Sequence, residues 1–278
     1  MGVRILLGIS GGTENRSKRE LTFSIAKKTG SAISALAIQD IERLKQLDQK
    51  TLGVYSHQVK KVEKRLERAE NLVEARLTKL EEKAKAKKID LTTISAEGDM
   101  LEAGMDEWRF HDLLVLGTHP WMIGVDQPED SSLILKLISS GVRPVLAVPR
   151  GAPSSASKVL VALSGSLDSA KAMKHLVQLG IFPGATMHLV TVGKPKSGEE
   201  PEELLNKAAG YCKVHGLKVT TAALEGVGSE AVLEETDRVE ADVICIGSSF
   251  KRVLFTERFG THALNIIDKS PVAVFISH

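Results

Sequence analysis

At 278 residues the chain is long enough for two domains with full cores, and 42% hydrophobic against 26% charged residues is the balance of an ordinary globular protein. A net charge of +2 gives no reason to expect nucleic acid or an acidic partner, and no apolar run reaches the length of a membrane span. Cys212 and Cys245 form no CxxC and the eight histidines show no ligand spacing, so no disulfide framework or metal site is expected, and a reducing cytoplasm is the default location.

In chain order, Val3–Ile9 reads as a compact apolar strand that the chain enters almost at once. It ends in the small, polar turn Ser10-Gly11-Gly12-Thr13-Glu14-Asn15. A helix over 16–28 carries Leu21, Ile25 and Ala26 on one face and is stopped by Gly30; Ala32–Ile38 is the second strand. Between Asp40 and Lys88 lies a stretch with Val59, Val62, Leu66, Ala69, Val73, Leu77, Leu80 and Ala84 at helical spacing. That pattern predicts an amphipathic helix of about nine turns. Its plain role is to cover the sheet; the sharper one is to overhang the domain and grip a partner. The charge run 81–88 is expected to be its solvated end. Leu91–Ser95 is the third strand, followed by the turn Glu97-Gly98-Asp99 and a helix. Asp112–Gly117 is the fourth, and the run ending at Pro149 holds the fifth.

The plan then starts again. Val159–Leu163 is a strand, Ser164-Gly165-Ser166-Leu167-Asp168-Ser169 the turn, and 170–179 a helix stopped by Gly180. Thr186–Val192, Val219–Ala223, Val243–Gly247 and Val272–Ile276 complete the second set of strands. Asp112 and Asp242 open the fourth strands and Gly117 and Gly247 close them, 130 positions apart in both pairs. The segment from Pro149 to Ser157 has no apolar period and reads as a linker, which divides the chain into repeats at 1–150 and 157–278. Apolar runs without polar alternation suit strands covered on both faces. The expectation is therefore α/β: two doubly wound, parallel, five-stranded sheets with helices on both faces. Ligands in such sheets bind beyond the carboxyl ends of the strands, where the strand order reverses.

Both repeats resemble universal stress protein domains, and the resemblance covers nearly the whole chain. It rests on the small turns SGG and SGS after the first strands, the EGD and EGVG turns before the third helices, a fourth strand ending in glycine, and last strands of the type PVLAV and PVAVF. The resemblance implies a sheet order of 3-2-1-4-5 in each repeat, with the fifth strands packing the repeats as an intrachain pseudo-dimer; a homodimer of the whole chain through the long helix is a further option. ATP-binding members of that family carry G-x2-G-x9-G-[ST] after the fourth strand. Repeat two keeps Gly247 and Gly260-Thr261 at that spacing, with Phe250 at the second glycine; repeat one keeps only Gly117, with Pro120, Asp130 and Ser131 at the other positions. Where the family tends to have an aspartate after the first strand, Ser10 and Ser164 stand here.

The two loops after the fourth strands differ in charge. In 248–260, Lys251, Arg252 and Arg258 against Glu257 give +2; in 118–130, Asp126, Glu129 and Asp130 give −3. A glycine at a helix N-terminus lets phosphate reach free backbone N–H groups, whereas an aspartate caps the helix and repels an anion. Any nucleotide is therefore expected in repeat two, at Ser164, Gly165, Ser166, Gly247, Ser248, Lys251, Gly260 and Thr261, unless Phe250, Phe255 and Phe259 close over it. The ligand would be ATP or another adenine nucleotide, with Mg if it is ATP. No catalytic residue is assigned, although Ser10, Ser164, His119 and His262 fall near the sheet reversals. The first functional reading is a non-catalytic binding or signalling module. The alternatives are an ATP pyrophosphatase-like enzyme, because SGSLDS is close to the SGGxDS loop of that family, and a ligand-free structural scaffold.

Overall fold

The computed structural model describes residues 2–9, 14–39, 55–119, 132–142, 144–248, 250–253, 256–259 and 261–278, with only the backbone course at 55–62, 100, 132 and 250–259. Repeat one runs β1 (Arg4–Gly8), α1 (Arg16–Thr29), β2 (Ala32–Gln39), α2 (Tyr55–Ala86), β3 (Leu91–Glu97), α3 (Met100–Trp108), β4 (Leu113–Gly117), α4 (Ser132–Ser139) and β5 (Val145–Val148). Repeat two runs β6 (Lys158–Ala162), α5 (Leu167–Leu179), β7 (Thr186–Val192), α6 (Pro201–Val214), β8 (Lys218–Leu224), α7 (Gly228–Arg238), β9 (Val243–Gly247), β10 (Phe250–Val253), β11 (Thr256–Phe259), α8 (Thr261–Lys269) and β12 (Ala273–Ser277). Ten strands form one sheet in the order β3-β2-β1-β4-β5-β12-β9-β6-β7-β8. Each half has the expected 3-2-1-4-5 order, and within each half the strands are parallel.

The halves meet where β5 and β12 pair antiparallel, with Leu146 opposite Phe275. Val145–Val148 is fully buried, between β4 and β12 and under the helices of both layers. An apolar edge that would template aggregation is thereby the middle of a sheet. The true edges, β3 and β8, alternate in exposure and carry Thr92, Thr93, Thr220 and Thr221.

Strand alternation divides the interior into two layers. Ile5, Leu7, Leu146, Val148 and Phe275 pack with α1, α2, α5 and α6, whereas Leu6, Val145, Ala147, Val274 and Ile276 pack with α4, α7 and α8. Both layers run across the two repeats without a break. The segment after β5 is not a free tether, because Ala152 and Ala156 are buried in the first layer.

Asp112 and Asp242, which mark the repeat in the sequence, hold the first strands in place. The Asp112 carboxylate accepts from Arg4 N at 2.8 Å; that of Asp242 accepts from Ser157 N at 2.7 Å, Ser157 Oγ at 2.8 Å and Lys158 N at 3.1 Å.

Three features differ from the sequence reading. The stretch after β9 contains an antiparallel hairpin, β10–β11, that places Lys251 opposite Arg258 and Arg252 opposite Glu257. The charge run at the end of α2 is not merely solvated: Lys83 pairs with Glu14 at 3.2 Å and Lys87 with Glu20 at 2.5 Å, tying α2 to α1. Arg19 also binds Glu14 and Glu20 there. The helix α5 starts at Leu167, inside the expected turn, because Ser166 caps it.

Candidate functional site

In each half the strand order reverses between the first and fourth strands, and a cavity opens at their carboxyl ends. The one in repeat two has a volume of about 330 Å³ between β6 and β9. Its floor is the first turn. Gly165, at φ +73, sits against the chain after β7: a Cβ there would lie 2.7 Å from Ser197 Oγ and 2.9 Å from Lys196 N. Lys196 N donates to Ser164 O at 2.9 Å, which brings Lys194 and Lys196 to the rim. The far wall is the start of α7, where Gly226 (φ +105) and Gly228 flank Val227 at the N-cap, with no side chain capping the helix. His262 of α8 stands beside Gly228. Val190, Val192, Val232, Ile246 and Ile266 supply an apolar lining.

Of the residues expected from sequence, Ser164, Ser166 and Gly247 line this cavity. Gly165 supports it from below. Ser248 is buried, is not among the residues that line this cavity, and its N–H donates to Ser277 O at 2.9 Å, extending the β9–β12 ladder. Thr261 is exposed and opens α8 next to His262. Gly260 lies outside the described residues, as do the side chains of Lys251 and of Phe250, Phe255 and Phe259. Gly247 is required for packing: a Cβ would fall 2.5 Å from Asp168 C and Ser169 N, at the start of α5. The sequence reading missed Lys194, Lys196, Gly228 and His262 as site residues. Two lysines directly after the second strand, and a helix opening Gly-Val-Gly, were the available signals.

The serine turn satisfies itself. Ser166 Oγ accepts from Ser169 N at 3.2 Å, Ser169 Oγ accepts from Ser164 N at 3.2 Å and donates to Ser166 O at 2.8 Å, and the Ser164 and Ser166 hydroxyls are 2.9 Å apart. A loop that holds pyrophosphate needs its N–H groups free, and two are used here. Among the described residues no carboxylate lines the cavity and no group of three or more His, Cys, Asp or Glu is placed to hold a metal ion.

Repeat one has its own cavity, about 310 Å³, lined by Asn15, Lys18, Thr118, His119, Arg150 and the apolar ends of β2 and β4, with Asp268 reaching in from α8 of repeat two. His119 Nε2 and Asp268 Oδ1 are 3.8 Å apart there. Residues 120–131, which carry the expected −3, lie outside the described residues. The expected cap at Asp130 therefore lies outside the described residues too. A contrast between the repeats appears at the preceding helix. Asp99 caps α3 through Leu101 N at 2.8 Å and Glu102 N at 3.3 Å, whereas Val227 leaves α7 open. The described wall of repeat one is basic: burial, and then the charges of Arg76 and Arg150, lower the Lys18 pKa to about 8.

Away from both cavities a polar chain joins β8, β7 and α7. His188 Nε2 donates to Glu235 Oε1 at 2.6 Å, its Nδ1 meets Thr220 Oγ1 at 2.7 Å, and Arg238 holds both oxygens of Glu235 at 2.5 and 2.6 Å.

Residues 156–278 match the model of the universal stress protein family. A universal stress protein of Methanocaldococcus jannaschii is 26% identical over 136 residues, which cover 43% of this chain and 80% of that protein. The crystal structure of a universal stress protein from Archaeoglobus fulgidus superposes with a TM-score of 0.69 at 19% identity, over 99% of this chain and 97% of that one. The second repeat thus belongs to the universal stress protein family, and the chain as a whole has the fold of a tandem pair of its domains.

Proposed function

We propose that the protein is a non-catalytic binding module whose second repeat takes an adenine nucleotide in the cavity between β6 and β9. The observation that carries this reading is the open N-terminus of α7. Gly226 and Gly228, on either side of its N-cap, line the cavity together with Lys194 and Lys196, and no side chain caps its first N–H groups. Free N–H groups, the positive end of a helix and close backbone approach together suit phosphate. The lining of Val190, Val192, Ile246 and Ile266 suits a flat, largely apolar base. The serine hydroxyls of the first turn are bonded to one another and to their own backbone, which speaks against a nucleophile and against the pyrophosphatase alternative.

Val227→Asp tests this reading, because it copies into α7 the cap that Asp99 gives α3. Val227 is exposed and already has the extended N-cap backbone, φ −85 and ψ 123, so the substitution meets no steric obstacle. Calorimetric titration with ATP and AMP is expected to show at least a tenfold loss of affinity, about 1.4 kcal/mol. The melting temperature without ligand should hold or rise, since a good N-cap contributes about 0.5–2 kcal/mol. Unchanged affinity would remove the phosphates from this helix. No saturable nucleotide binding by the wild type would leave the scaffold reading in its place.

A further inference from the structure

Lys18 is an unusual resident of the repeat-one cavity. It lies in the first turn of α1 and is only 6% exposed, and its Nζ bends back over the end of β1 to donate to Gly8 O at 2.5 Å. A carbonyl satisfies one of three ammonium protons and supplies no counter-charge. Among the described residues no ion pair of Lys18 is formed. Around it, Arg76 and Lys79 approach from α2, Arg19 and Glu14 from α1 and the residues before it, His119 from the end of β4, Arg150 from beyond β5 and Asp268 from α8. The Glu14 carboxylate is already engaged by Arg19 and Lys83, and Asp268 stands beside His119.

The space beside this ammonium is apolar. Leu36 and Ile38 of β2, Leu114 and Leu116 of β4 and Leu137 of α4 face it. Room is made by Gly104 in α3, five residues past the Asp99 cap; Val232 occupies the same position past Val227 in repeat two. At about 310 Å³ the cavity is at the small end of ligand sites, about 300–1,000 Å³. The Asp99 carboxylate closes the helix end that a phosphate chain would need.

We propose that this cavity is a second and separate ligand site, for a medium-chain organic acid whose carboxylate pairs with Lys18 and whose chain lies along Leu36, Ile38, Leu114, Leu116 and Leu137. The anion supplies a counter-charge that none of the described residues gives Lys18, and the chain fills the apolar space. The lowered basicity of Lys18 adds a signature. A bound carboxylate favours the ammonium, so binding near pH 8 takes up protons, and affinity falls as the pH rises above that.

The test is calorimetric titration of the full chain with octanoate and with octanol, its uncharged analogue, at pH 6 and pH 8 in buffers of different ionisation enthalpy. Octanoate should bind with one site per chain, at least tenfold more tightly than octanol, with net proton uptake at pH 8 and little at pH 6. Lys18→Met should lose at least tenfold for octanoate and leave octanol unchanged, while Val227→Asp should leave octanoate unchanged. Equal affinity for octanoate and octanol, no saturable octanoate binding, or displacement of octanoate by AMP would each overturn the assignment. The wild-type comparison of acid with alcohol stands whatever happens to the variant.

Discussion

Lys18, buried and with no ion pair among the described residues, makes a prediction about stability as well as binding. The folded pKa of Lys18, about 8, lies below its ordinary value of 10.5, so the folded state disfavours the ammonium. The penalty is fully present below pH 8 and is relieved as the pH rises toward 10.5; by linkage it is on the order of 3 kcal/mol. Lys18→Met is therefore expected to raise the denaturation midpoint at pH 7, by an amount that shrinks toward pH 10, as thermal melts across that range would show. The glycines ending β4 and β9 make a second contrast at this scale. Gly247→Ala drives a Cβ into the α5 backbone at 2.5 Å, whereas at Gly117 the nearest atom is Asn15 Nδ2 at 3.7 Å. Gly247→Ala should cost about 1–3 kcal/mol in chemical denaturation, and Gly117→Ala less than about 1. Two glycines in equivalent sequence positions thus serve different physical needs.

Elements are joined here by a few carboxylates. Glu235 links α7 to β7 and, through His188, to the edge strand β8. The Arg238 hydrogen bond, with help from His188 and against the effect of burial, holds its pKa below the usual glutamate value. Its contribution is fully present above about pH 4.3 and is lost as the pH falls through the lowered folded value. Glu235→Gln should therefore destabilise the protein at pH 7 and flatten the acid limb of its stability curve; an unchanged acid limb would show that this network is not coupled to folding. Asp242 acts on β6 in the same way as Asp112 on β1. Asp242→Ala removes the acceptor shared by the N–H groups of Ser157 and Lys158, for an expected loss of about 0.5–1.5 kcal/mol by urea titration.

Across the whole molecule the decisive contact is β5 against β12. The buried run Val145–Val148 pairs with β4 on one side and has a neighbour on its other edge only because the second repeat supplies β12, and both helical layers continue across the seam. Residues 157–278 expressed alone would expose the edge of β12 that Val145–Ala147 now covers. That fragment is expected to self-associate at concentrations at which the intact chain does not, as sedimentation velocity would reveal. A monomeric, well-folded fragment would show that the edge is tolerable without its partner.

The sequence by itself determined the repeat, the strand types and their approximate limits. Period-two and buried apolar runs such as Arg4–Gly8 and Val243–Gly247 are local signals, and Gly30 and Gly180 stop helices by their left-handed backbone, at φ 69 and 58. Family resemblance carried the strand order, and Ser164, Ser166 and Gly247 were legible as residues of one cavity. What only tertiary structure decided depends on contacts between distant segments. Lys194 and Lys196 become rim residues because the chain after β7 is tied to the first turn; Ser248 becomes a ladder residue because β12 lies beside it. The openness of α7 against the closed α3 turns on Val227 and Asp99, whose meaning as caps appears only once the helix starts are fixed. Lys18 reads in the sequence as one more charged residue of an early helix turn. Its burial over the end of β1 is set by the walls of a cavity that seven separate elements, β1, α1, β2, α3, β4, α4 and α8, must assemble.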